Sequence, residues 1–388
     1  MAHRERIDSM FSDAVASKSV PGIVALAATD RGILYEGAFG TRALGSNAPM
    51  TLDTVVWIAS MTKAITATAA MQLVERGKLG LDSPARDVVE DLAKAQVLEG
   101  FDAAGQPRLR APRRPITLRH LLTHTAGFAY EIWVPAIAQY QAATGTPGIT
   151  TCTNAALTTP LLFDPGDRWE YGINIDWAGK MIEAVSGQKL DRYLEENIFR
   201  PLGMKDTSFK LSPSQRARLA SVHQRGDDGA LAPIEFGLPE EPEFHMGGGG
   251  LYGTAGDYLT FAQMILNGGR TAGGHVLRPE TVDLMGQNHI GALEVGPLKT
   301  AIPSLSHDVE LFPGMSKKWG LSFLINTQPA PTGRAAGSLA WAGLANTYFW
   351  IDRTRRVCGV FLSQVLPFYD PPTVDLLGKF ETEVYRAV

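Results

Sequence analysis

The stretch from Ala64 to Val74 is a continuous run without a charged side chain, broken only at Glu75. A helix that is apolar nearly all round is a buried helix, so the rest of the chain must close around it before it ends near Gly77. At its head stand Ser60-Met61-Thr62-Lys63. A hydroxyl and an amine three residues apart on a helix share one face. Lys63 is then held where its charged form is poorly solvated, which lowers its pKa. A neutral amine beside a serine hydroxyl is a nucleophile with its own base. Ser60 also meets the helix N-terminus, where free backbone N–H groups favour developing negative charge. These features point to acyl transfer through a serine ester.

The chain contains its own control. Ser186-Gly187-Gln188-Lys189 has the same spacing, but it follows the helical-looking Asp176 to Val185. Gly187 reads as the stop of that helix, where the dipole has the wrong sign for an oxyanion. Ser186 is therefore read as structural.

The 388 residues allow two or three domains, and 45% apolar with 20% charged residues is ordinary for a globular protein. A net charge of -4 gives no electrostatic reason to expect nucleic acid or an anionic membrane as partner. Met1 to Arg6 leads into an amphipathic-looking segment, Ile7 to Val15, without the apolar core of a secretory signal. No run approaches the roughly 20 apolar residues of a membrane span. A cytoplasmic location is the expectation. Cys152 and Cys358 form no C-x-x-C unit and are expected to be unpaired thiols.

Strands are expected at Val20 to Ala28 and Ile33 to Phe39, joined as a hairpin by Thr29-Asp30-Arg31-Gly32. A mainly helical middle follows, including a short helix from Leu118, Asp176 to Val185 and Leu190 to Phe199. Another helix is expected at Ala255 to Leu266. Strands are expected at Trp319 to Ile325, Gly337 to Trp341, Thr347 to Ile351 and Val357 to Val365, then a last helix from Thr373. This order predicts an α/β domain built from residues 1–80 and 250–388, with a mainly helical domain, 81–249, inserted between them.

Other patterns are weaker. His120 and His124 have the i, i+4 spacing of metal ligands, but Leu121 stands where a metalloprotease has glutamate, so helix capping and packing are expected instead. Gly248-Gly249-Gly250-Leu251-Tyr252-Gly253 matches a dinucleotide fingerprint but follows no buried strand and lacks the downstream acid. Close approach of backbone to a substrate or a neighbouring loop suits these glycines better. G-x-S-x-G occurs nowhere, so the nucleophile elbow of α/β-hydrolases is absent.

Five pieces occur in a fixed order: Ser60-Met61-Thr62-Lys63; Ile116 through Gly127 (ITLRHLLTHTAG); Tyr171-Gly172-Ile173-Asn174; Gly248 through Ala255; and Trp341-Ala342-Gly343. Together they resemble the serine β-lactamase and penicillin-binding-protein superfamily, specifically its class C-like esterase branch, the family VIII carboxylesterases. The resemblance runs from about Val20 to the C-terminus. It implies an antiparallel sheet flanked by helices, plus an inserted helical domain. By position it makes Ser60 the nucleophile, with Lys63 and Tyr171 as the acid/base pair and Lys63 keeping Tyr171 partly deprotonated. The oxyanion hole would be the backbone N–H groups of Ser60 and Leu344, the latter beside an edge strand. Trp341, Gly343, Asn174 and Gly249 would contact substrate. No cofactor or metal is implied.

Two departures matter. Trp341 and Ala342 replace the cation and hydroxyl that hold the carboxylate of a β-lactam or peptide. A charged hydrogen bond of that kind contributes about 1.5–3 kcal/mol. Ile173 occupies the usual asparagine position of Tyr-x-Asn, with Asn174 one residue late. Both favour neutral, apolar esters. The leading expectation is a serine carboxylesterase acting on short- to medium-chain esters. Val97 to Gly105 with Leu109-Arg110 also looks like the lovastatin-pathway acyltransferases, which makes transfer to an alcohol the main alternative. A β-lactamase or peptidase and a non-catalytic binding protein are weaker ones. The expected partner is a small-molecule ester; the sequence does not specify oligomeric state.

Overall fold

Short apolar stretches near both ends of the sequence pair into one seven-stranded antiparallel sheet. The computed structural model describes residues 2–271 and 273–388. Its strands are β1 (Gly22–Thr29), β2 (Gly32–Gly40), β3 (Lys317–Trp319), β4 (Leu324–Asn326), β5 (Leu339–Gly343), β6 (Thr347–Asp352) and β7 (Val357–Leu362), in the order β3-β4-β5-β6-β7-β1-β2. Every residue of β5, β6 and β7 is buried, as strands covered on both faces must be. The sheet joins the two ends of the chain through the β1–β7 pairing, Val24 opposite Leu362 to Thr29 opposite Val357.

Helix α1 (Ala2–Ala16) and the last helix, α7 (Pro371–Arg386), cover one face. Phe11 packs there against Phe39, Phe361 and Phe380, with ring centroids 5.6–5.9 Å apart. The other face carries α6 (Ala255–Leu266), while α2 (Thr62–Glu75) leads away from a turn packed on β5 and β6 into the helical part. Residues Thr62 through Leu73 of α2 are all buried, so the charge-free run is an interior helix as expected. Between them lie α3 (Leu118–Leu122), α4 (Asn174–Ser186) and α5 (Leu190–Leu194).

One expected strand is two. Trp319 to Ile325 is broken by a tight turn, with Gly320 against the Met285 carbonyl and Ser322 at φ 73°. The result is the β3–β4 hairpin, and it has a consequence for the site. β4 pairs with β5 only at Leu339 and Ala340, which leaves Trp341-Ala342-Gly343 without a strand neighbour on that side. β5 is thus an interior strand whose second half behaves as an edge.

Cys152 and Cys358 are both buried free thiols. His120 lies in a capping box with Thr117, its Nδ1 accepting from the Thr117 N–H at 3.2 Å. Among the described residues no group of acids, histidines and cysteines could hold a metal, and no helix is long and apolar enough to cross a membrane.

Candidate active site

Ser60 lies on a short 3₁₀ turn, Ala59–Met61, that feeds directly into α2. Ala59 just before it adopts φ 46°, a left-handed conformation costly for any residue with a Cβ. Two close approaches hold the turn there. The Thr347 hydroxyl donates to the Ile58 carbonyl at 3.2 Å, and Gly343 lies against the same carbonyl. A Cβ at 343 would stand 2.3 Å from that oxygen and 2.2 Å from Thr347 Oγ1, so glycine is what lets β5 reach the nucleophile turn.

Lys63 is fully buried, and its Nζ lies within hydrogen-bond distance of three oxygens: Ser60 Oγ at 3.0 Å, Tyr130 Oη at 3.1 Å and the Gly248 carbonyl at 2.6 Å. Burial pulls its pKa well below the usual lysine range, opposed by the negative charge of Asp176. The Nζ sits over the Tyr171 ring, 4.7 Å from its centroid, rather than on the phenol oxygen. That oxygen accepts a hydrogen bond from Trp341 Nε1 at 3.0 Å and also interacts with Ser60. Burial raises the Tyr171 pKa above the phenol range despite both contacts, which keeps the hydroxyl protonated rather than partly deprotonated as the resemblance implies. The indole of Trp341, expected from the resemblance to contact substrate, therefore also works through its N–H.

Ser60, Tyr171, Trp341, Gly343 and Leu344 line one narrow cleft, closed by Trp133, Leu298 and Phe368. Its enclosed volume of about 20 Å³ is little more than one water needs. Among the described residues none with a charged side chain lines it. Asn174 and Gly249 lie elsewhere. Asn174 is buried, its amide donating toward His124 Nδ1 (2.9 Å) and to the Phe128 carbonyl (3.3 Å). The Gly249 carbonyl accepts from Trp57 Nε1 at 2.8 Å, while Thr66 Oγ1 holds the neighbouring Gly247 carbonyl at 2.8 Å. The glycine stretch is thus backbone laid against α2 and its entry turn.

Two groups at Lys63 escaped the sequence reading. Tyr130 arrives because the loop after Gly127 runs tightly beside Tyr171-Gly172: the Tyr130 N–H donates to the Tyr171 carbonyl, and a Cβ on Gly172 would sit 2.3 Å from the Phe128 oxygen. Asp176 was visible only as an acid near the start of a helix. Pairing either residue with Lys63 needs the tertiary fold. The nearest signals were the glycines at 127, 172 and 248 that allow the close approaches.

The Beta-lactamase family model matches residues 7–380, and the chain belongs to that family. It is an enzyme of a family whose relatives here include both acyltransferases and esterases. Monacolin J acid methylbutanoyltransferase of Aspergillus terreus is 34% identical, with 98% of this chain and 95% of that protein covered. Lovastatin esterase of Penicillium rubens is also 34% identical, with 98% of each covered. The solved structure of unliganded simvastatin synthase from Aspergillus terreus superposes with a TM-score of 0.87 at 33% identity, covering 99% of this chain and 98% of that one. EstCE1, a hydrolase with promiscuous acyltransferase activity, shares the fold with a TM-score of 0.78 at 23% identity, over 99% and 98%.

Proposed function

We propose that this protein transfers an acyl group from a small-molecule ester to an alcohol through an acyl-enzyme on Ser60. The observation that carries this reading is the buried Lys63 amine 3.0 Å from the Ser60 hydroxyl. In acylation Ser60 Oγ bonds to the ester carbonyl carbon and its proton passes to Lys63. The Tyr171 hydroxyl gives its proton to the leaving alkoxide, and the resulting phenolate sits beneath the Lys63 cation with the Trp341 N–H on its oxygen. Deacylation reverses both transfers. The incoming alcohol gives its proton to Tyr171 and bonds to the acyl carbon, while Lys63 returns a proton to Ser60. Backbone N–H groups of Ser60 and Leu344 would receive the tetrahedral oxyanion.

Transfer is placed ahead of the esterase expectation because relatives matching nearly the whole chain are methylbutanoyltransferases. A narrow, uncharged cleft supports a short, neutral acyl group. It offers a substrate carboxylate no cation, which supports weak activity at most on β-lactams and peptides. Hydrolysis is the second reading, favoured by the equally similar lovastatin esterase. The test is to incubate the enzyme with p-nitrophenyl butyrate and a graded concentration of a small alcohol. Butyrate ester as the main product supports transfer. Free butyrate at every alcohol concentration makes the protein an esterase.

A further inference from the structure

An acidic residue in the first turn of a helix ordinarily faces water and complements the dipole. Asp176, in the first turn of α4, is instead fully buried against α2. Its Oδ1 accepts the Gly248 N–H at 2.8 Å, and its Oδ2 makes no hydrogen bond. The Gly248 carbonyl in turn accepts from Lys63 Nζ at 2.6 Å. One residue's backbone therefore lies between a buried carboxyl and a buried amine, with its N–H toward the first and its C=O toward the second. Only glycine permits this, since a Cβ at 248 would stand 2.6 Å from Asp176 Oδ2.

The groups facing Lys63 are Ser60 from its entry turn, His124 and Tyr130 from the segment after α3, Tyr171, and Asp176 from α4. Burial keeps His124 neutral and both phenols protonated. Facing Asp176 are Lys63, Tyr130, Tyr171 and the Cys152 thiol, which burial likewise keeps protonated. Glu131 acts on Tyr130 from outside this group. Burial pushes the Asp176 carboxyl up to about 6, opposed by Lys63 and the Gly248 N–H, so above that pH it is, among the described residues, the one negative charge facing a lysine that must become an ammonium during the reaction. An uncompensated cation in so dry a place is strongly disfavoured.

We infer that Asp176 is a positioning residue for the acyl transfer, supplying across the Gly248 backbone the counter-charge that lets buried Lys63 accept the Ser60 proton. This rests on the acyl-enzyme reading above. Burial lowers the proton affinity of Lys63 and the Asp176 charge raises it. Removing that charge leaves a weaker base that stays neutral to lower pH. Asp176→Asn keeps the size and the acceptor for Gly248, so it isolates the charge.

The experiment measures the rate of Ser60 labelling by a fluorophosphonate against pH, in the wild type and D176N. Labelling reports attack by Ser60 alone, independent of acyl acceptor. The expected result is labelling about 10²-fold slower at its plateau, within the range of general-base effects. The acidic limb should also move at least about one pH unit lower, as loss of a nearby opposite charge requires. A limb that stays in place, whatever happens to the plateau, would overturn the inference, because a structural role lowers the amount of active protein without moving a titration. Wild-type protein that never labels at Ser60 would overturn the acyl-enzyme reading and the inference with it. Should D176N fail to fold, carbon-13 NMR of the wild-type Lys63 Cε and Asp176 carboxyl decides the matter. Signals that respond to each other's titration support the pair, and independent titrations overturn it.

Discussion

Ser60-Met61-Thr62-Lys63 and Ser186-Gly187-Gln188-Lys189 have the same spacing and opposite fates. The first opens a helix buried all round, and its lysine has three polar partners and is itself fully buried. The second closes one: α4 ends at Ser186, Gly187 takes φ 70°, and the Ser186 hydroxyl accepts the Gln188 N–H at 3.2 Å. Lys189 is exposed at the entry to α5. A serine and a lysine acquire chemistry from the helix end they occupy and from how dry that end is. Spacing alone supplies neither.

The largest expected effects test this contrast directly. Ser60→Ala should abolish fluorophosphonate labelling and cut ester turnover by about 10⁴-fold or more, the scale for groups that act as a unit. Ser186→Ala should leave both within twofold; a comparable loss there would erase the distinction. Next, Lys63→Ala and Tyr171→Phe should each lower turnover by about 10³-fold, while Lys189→Ala changes it little. Near-normal turnover in Tyr171→Phe would refute the proton path drawn through that phenol.

A pair of glycines sharpens the contrast in packing. Gly343→Ala drives a methyl into Thr347 and the Ile58 carbonyl, so both activity and thermal stability should fall, the latter by about 1–3 kcal/mol. Gly187→Ala meets open space and only backbone strain, about 1–2 kcal/mol, with activity per folded molecule unchanged. The smallest effect is expected of Trp341→Phe, which keeps an aromatic ring but removes the hydrogen bond to Tyr171. Turnover should drop about 10-fold, the value of roughly one ordinary hydrogen bond, with KM nearly constant. A change confined to KM would make Trp341 a wall and nothing more.

Much of this arrangement was legible in the sequence because it rests on local patterns. The charge-free run forecast the buried helix, short apolar stretches marked β1, β2, β6 and β7, and Ala255 to Leu266 emerged as α6 with those bounds. Trp319 to Ile325 was misread as one strand because its apolar residues conceal a turn set by Gly320 and Ser322. At the site, the family motifs brought forward Ser60, Lys63, Tyr171, Trp341, Gly343 and Leu344, which the fold gathers around one cleft or its floor. Tyr130 and Asp176 stayed hidden. Each meets Lys63 across a large sequence separation, and nothing about an isolated tyrosine or a first-turn aspartate announces which helix it will pack against.

The uncovered half of β5 has a consequence for the protein in crowded solution. A strand edge with free backbone groups is a template on which another chain can add, and exposed edges invite aggregation. Here Trp341, Ala342 and Gly343 are buried, and their open side is walled by Trp133, Leu298 and Phe368. So small a space cannot take a second polypeptide strand. The molecule can therefore keep an unfinished sheet where its chemistry needs one without offering that sheet to its neighbours.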